Sequence, residues 1–135
     1  MSESELPEDQ HAALRRMLLI DDNPLQLRVR ETVLREAGLE VDVAASAEAA
    51  LAVLKSPLAG SLGAVVTDHV LTGASGAQLV HELRRGWPDL PVIVITGMPG
   101  AEEEYKGLNV HFRSKPFPPA ELIALVRACV QGRAA

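Results

Sequence analysis

Five short apolar runs, separated by segments in which apolar residues recur every three or four positions, constrain this 135-residue chain more than any other feature. The runs lie near 17–20, 41–44, 64–67, 91–95 and 109–112, and each has the length of a buried strand. Strands that alternate with helices cannot pair as hairpins, so the pattern predicts successive βαβ units and a parallel sheet. Asn23 can cap the first helix, Pro24 suits its first turn, and Gly38 suits the left-handed position beyond its end. Leu27, Val33, Leu34 and Ala37 form its inward stripe. Ser46 caps a second helix carrying Leu51, Val53 and Leu54 as far as a Pro57/Gly60 break, and a third follows Gly73 and Gly76 through Leu79, Val80 and Leu83 to Gly86-Trp87-Pro88. From Gly97 to Gly107 there is room for only one or two helical turns. Pro118-Pro119 then opens the last helix, with Glu121 favourably placed at its positive end.

The hydrophobic share of 47% argues for a folded chain, and the length predicts one domain over 16–131, an acidic tail over 1–15 and no output domain. No apolar run is long enough to cross a bilayer, and the acidic N-terminus lacks the basic start and apolar centre of a secretory signal. These features predict a cytoplasmic protein. A net charge of −5 without a clustered basic face argues against direct nucleic-acid binding. The single cysteine, Cys129, shares a helical stripe with Leu122, Leu125 and Val126 and reads as a core thiol.

Polar residues close the apolar runs. Asp21 and Asp22 follow Met17–Ile20, Asp68 follows Ala64–Thr67, Thr96 follows Pro91–Ile95, and Lys115 stands before Pro116-Phe117, just past Val110–Phe112. In a parallel sheet these positions gather at one edge. Like charges separated by ~4 Å repel by on the order of 4 kcal/mol at an effective dielectric near 20, so three neighbouring carboxylates invite a cation. Mg²⁺ takes hard oxygen ligands and keeps water. Three acids, a hydroxyl and an ammonium can therefore hold a divalent metal and a phosphoryl group, with one acid left as nucleophile. Asn23 suffices for the helix cap and leaves the acids free.

The order of these five positions resembles the receiver domain of two-component response regulators, from about Arg16 to about Val130. The resemblance implies an α/β, flavodoxin-like three-layer sandwich: a five-stranded parallel sheet in order 2-1-3-4-5 with helices on both faces. It implies that Asp68 accepts a phosphoryl group from a histidine kinase or histidine phosphotransfer protein. Mg²⁺ or Mn²⁺ would be held by Asp22, Asp68 and the backbone carbonyl of Val70, and by Asp21 through water. Lys115 would offset phosphoryl charge, with a cis peptide between Lys115 and Pro116. Thr96 would be the switch hydroxyl, followed by the aromatic Phe112. The helix 4/strand 5/helix 5 face would then change for a downstream protein partner. Such a domain catalyses only its own phosphorylation and dephosphorylation, and is expected as a monomer or weak homodimer.

Three departures from the family pattern carry expectations of their own. Thr72 stands where many receivers have proline, which removes a φ restraint from the loop after Asp68. The short Glu-rich stretch 101–106 is similar to the reduced helix 4 of receivers in hybrid sensor kinases, and is expected to be weakly helical and mobile. Val70 and Met98, both apolar, flank the acceptor and cannot orient a hydrolytic water, so the phosphoryl group should be long-lived. Two rival readings are a haloacid-dehalogenase-like Mg²⁺ phosphatase, whose nucleophile ends strand 1 in an Asp-x-Asp pattern unlike Asp21-Asp22-Asn23, and a phosphorylation-independent pseudo-receiver.

Overall fold

A computed structural model describes residues 16–134; the expected acidic tail lies outside them. Five strands, β1 (Arg16–Ile20), β2 (Glu40–Ala44), β3 (Leu62–Asp68), β4 (Val92–Thr96) and β5 (His111–Ser114), form one parallel sheet in order β2-β1-β3-β4-β5. Helices α1 (Pro24–Glu36), α2 (Ala47–Leu54), α3 (Gly76–Gly86) and α4 (Pro119–Ala134) cover it. Two 3₁₀ turns, Pro57–Ser61 and Ala101–Tyr105, complete the elements of the described residues. α4 therefore occupies the place of the expected fifth helix, and the expected fourth is the 3₁₀ turn Ala101–Tyr105.

The sheet separates two apolar layers by the two-residue alternation of its strands. Leu18, Ile20, Val65, Val92 and Val94 face α2 and α3, where Leu54, Leu79 and Leu83 meet them. Met17, Leu19, Val66, Ile93 and Ile95 face α1 and α4, where Leu34, Leu122 and Val126 close the second layer. Cys129 belongs to this second layer, and burial raises its pKa. Because both faces are covered, the central strands read as continuous apolar runs.

Local signals behave as read. The Asn23 side chain accepts from the N–H groups of Leu25 (3.0 Å) and Gln26 (3.1 Å), Gly38 takes φ 91°, and Ser46 accepts from the Ala49 N–H. α3 begins with a capping box that pairs Ser75 with Gln78.

Strand β5 departs from expectation by starting at His111 instead of 109. Asn109 is held at φ 54°, outside the β region. Arg84 explains the offset. Its guanidinium donates to four backbone carbonyls, Leu108 (2.7 Å), Asn109 (3.0 Å), Trp87 (2.9 Å) and Leu90 (2.7 Å). It thus ties the end of α3 to the entry of β5 and takes the carbonyls of 108 and 109 out of strand pairing.

Candidate phosphoacceptor site

The acids reach one sheet edge because β1 and β3 are adjacent and in register, Ile20 opposite Thr67. Asp21 and Asp22 follow β1, Asp68 ends β3, Thr96 ends β4 opposite Ser114 of β5, and Lys115 is the next residue. The Lys115 N–H donates to the Thr96 carbonyl at 2.9 Å. The Lys115–Pro116 peptide is cis. Lys115 Nζ lies 3.0 Å from Asp68 Oδ2, joining residues 47 apart in sequence, with a longer contact to Gln26 Oε1 at 3.4 Å.

As expected, the Asn23 side chain alone caps α1 and neither acid is spent on the first-turn N–H groups; each acid has a partner of its own. Asp21 is fully buried. Its Oδ1 accepts the Asn23 N–H at 2.9 Å and its Oδ2 accepts Arg30 Nη1 at 2.7 Å. Burial raises the Asp21 pKa and the charge of Asp68 adds to the rise, while the Asn23 N–H, Arg30 and Lys115 oppose it. Asp22 Oδ2 accepts the hydroxyl of Thr72. That bond gives the acceptor loop a tether where a proline ring would have restrained it. Arg30 brings a second cation beside Lys115 and Thr72 a hydroxyl donor, and sequence reasoning assigned neither to the site.

The Thr96 hydroxyl is buried and accepts the Met98 N–H at 2.9 Å, so its own proton stays free to donate. Val70 lies two residues past Asp68, is 57% exposed, and bridges to Ser75. Met98 is 50% exposed. Both apolar neighbours in sequence are thus open to solvent.

Behind the acceptor lies a cluster that sequence reasoning missed. His69 and Tyr105 are both buried, with His69 Nδ1 2.6 Å from the Tyr105 hydroxyl and His69 Nε2 3.2 Å from Glu104 Oε2. A ring protonated on Nε2 satisfies both contacts, donating to Glu104 and accepting from Tyr105. Tyr105 also packs edge-on against Phe112, ring centroids 5.1 Å apart. Phe112 is half-buried and packs against the same core layer as Tyr105. A Cβ at residue 76 would meet the Tyr105 hydroxyl at 2.6 Å and the Asp68 carbonyl at 2.7 Å, so glycine is required there. The Ala101–Tyr105 turn is short and 3₁₀, as its flanking Pro99, Gly100 and Gly107 imply. Tertiary contacts hold it, since Ala101 and Tyr105 at its two ends are both buried.

The response regulator receiver domain family matches residues 17–127, and the chain belongs to that family. Among curated relatives, the transcriptional regulatory protein FixJ of Azorhizobium caulinodans is 36% identical over 120 residues, covering 87% of this chain and 55% of that protein. The C4-dicarboxylate transport transcriptional regulatory protein DctD of Pseudomonas aeruginosa is 36% identical over 121 residues, covering 87% of this chain and 25% of that protein. The chain thus spans between about a quarter and about half the length of the curated relatives it matches. Among solved structures, a response regulator receiver protein from Sinorhizobium medicae is 30% identical with a TM-score of 0.76, covering 87% of this chain and 95% of that one. A receiver domain from Clostridium thermocellum shares the fold with a TM-score of 0.81 at 23% identity, covering 87% and 95%. The fold, with its strand order, is that of the chemotaxis-regulator-like receivers.

Proposed function

We propose that this domain is the phosphoacceptor of a two-component phosphorelay and that Asp68 is the residue modified. A carboxylate oxygen of Asp68 would attack the phosphorus of a phosphohistidine in line. The P–N bond then breaks, its electron pair leaves on the imidazole, and an aspartyl phosphate remains. The observation that carries this reading is the 3.0 Å contact between Lys115 and Asp68, which sets an ammonium where charge on the phosphoryl oxygens would develop. Thr96, with its proton free, would donate to the same group and move toward it, and Phe112 would respond through its packing against Tyr105.

Receiver domains bind Mg²⁺ at their acidic pocket. The donor set here suits that ion. Its carboxylates and backbone carbonyl are hard oxygens, and since among the described residues no three His, Cys, Asp or Glu side chains are grouped as ligands, waters would have to complete the shell. Asp22, Asp68 and the Val70 carbonyl would hold Mg²⁺ or Mn²⁺, and Asp21 would reach it through water. When bound, the ion would neutralise charge on the transferring phosphoryl group.

An apolar groove of about 420 Å³ runs between α1 and α4 beside Lys115, lined by Leu25, Val29, Phe117 and Leu122 among others. Leu25 and Val29 are largely exposed. This groove is the surface on which a histidine kinase or phosphotransfer protein would dock. The domain would turn over no independent substrate and would act in the cytoplasm on a downstream protein. Among the described residues no helix is long and apolar enough to cross a membrane. No observation favours the phosphatase or pseudo-receiver readings. Leu25→Asp should slow phosphotransfer from the cognate donor at least several-fold while leaving acetyl phosphate labelling unchanged; equal slowing of both would remove the groove from the account.

A further inference from the structure

Arg30 stands out among the residues that the phosphoacceptor chemistry does not use. It projects from the second turn of α1, its side chain is only 14% exposed, and its Nη1 contacts the fully buried Asp21 at 2.7 Å. With the Asn23 N–H on the other oxygen, both oxygens of Asp21 are already engaged by protein donors. The pattern continues across the site, where Lys115 holds Asp68 and Thr72 holds Asp22. Three acids and two cations leave the cluster with a charge near −1, and without Arg30 it would be near −2.

We propose that Arg30 is a positioning residue that acts as a built-in counter-ion to Asp21, keeping the metal-free site stable and making Mg²⁺ bind in competition with the guanidinium. The inference rests on the receiver reading and deepens it, since it assigns the residue that sets the metal threshold of that site. Two effects act together. A fixed positive charge beside Asp21 repels a divalent ion approaching the same carboxylates. Arg30 and the Asn23 N–H also engage both oxygens through which Asp21 could accept from metal-bound water, so such a water would share or displace one of these bonds. The arrangement leaves the domain folded and uncharged by metal at low Mg²⁺, and ready to load as Mg²⁺ rises.

The test is isothermal titration of MgCl₂ into the full chain, as wild type, Arg30→Gln and Arg30→Lys, with thermal melting of each in EDTA and in Mg²⁺. Arg30→Gln should bind Mg²⁺ roughly three- to tenfold more tightly than wild type. It should melt lower than wild type in EDTA and gain more from Mg²⁺. Arg30→Lys keeps the charge on a shorter reach and should fall between the two, which keeps the test informative if the Gln variant folds poorly. Unchanged or weaker Mg²⁺ binding by Arg30→Gln, with wild type still forming an acetyl phosphate adduct, overturns the role of Arg30 alone. A wild type that binds no Mg²⁺ and forms no adduct overturns the receiver reading and this proposal with it.

Discussion

The strand-end site and the segment that runs from Gly97 to Asn109 are held in different ways. At the strand ends, Asp21, Asp22, Asp68, Thr96 and Lys115 inherit their positions from sheet register, and short polar contacts then fix each carboxylate. The 97–109 segment has no ladder of its own. It is fastened by the Tyr105 hydroxyl on His69 and by the Arg84 fork on its backbone carbonyls. A site built on register keeps its geometry when side chains near it change, whereas a segment hung on two clasps can be released by removing either. That division suits a receiver, in which chemistry must stay fixed while the reporting face moves.

Removing the larger clasp should separate the two regions most. Arg84→Ala leaves four backbone carbonyls without their donor, and this outweighs relief of the desolvation that disfavours the guanidinium charge, so loss of about 2–4 kcal/mol of stability is expected. Urea unfolding would measure it. Acetyl phosphate labelling of the folded variant should persist, and its loss would show that the regions are not separable.

Tyr105→Phe removes only the hydroxyl and strands a buried imidazole nitrogen, at a cost of about 1–2 kcal/mol. The same residue gives a pH signature. Burial, with help from the charges of Glu104 and Asp68, raises the Tyr105 pKa above its ordinary value. The folded chain therefore keeps a phenolic proton that the unfolded chain loses. The stabilisation is fully present below pH ~10 and is lost as pH rises beyond it. Between pH 9 and pH 11 the wild type should lose more melting temperature than Tyr105→Phe; equal losses would place the alkaline sensitivity elsewhere.

The smallest effect belongs to the site itself. Val70→Asn supplies a polar group beside the acceptor able to orient water, and should shorten the phosphoryl lifetime by a few-fold, within about 1 kcal/mol of barrier. Decay followed by intact mass would show it, and an unchanged lifetime would remove Val70 from the account of persistence.

The residues of the strand-end site were legible because their signal is local: Asp21, Asp22, Asp68, Thr96 and Lys115 each close an apolar run whose strand character is evident, and register assembles them. The helix starts at Asn23 and Ser46 were legible for the same reason. The partners of those acids were not. Arg30 lies among several charged residues of α1 and nothing local distinguishes it from Arg28, which is exposed. His69 and Tyr105 are 36 residues apart, and Tyr105 sits in a Glu-rich stretch that reads as surface. The one available signal was a lone tyrosine at the end of that stretch, with Gly76 opposite it. The late start of β5 depends on Arg84, a residue 24 to 25 positions upstream, so no local pattern at 109 could have shown it.

The central claim is that Asp68 accepts one phosphoryl group in a metal-dependent reaction. Intact mass spectrometry after incubation with acetyl phosphate, with Mg²⁺ and with EDTA, on wild type and Asp68→Asn, tests it most directly. The account predicts a single phosphoryl adduct on wild type in Mg²⁺ and none in the other three conditions. An adduct on Asp68→Asn, or steady release of phosphate without any adduct, would contradict it.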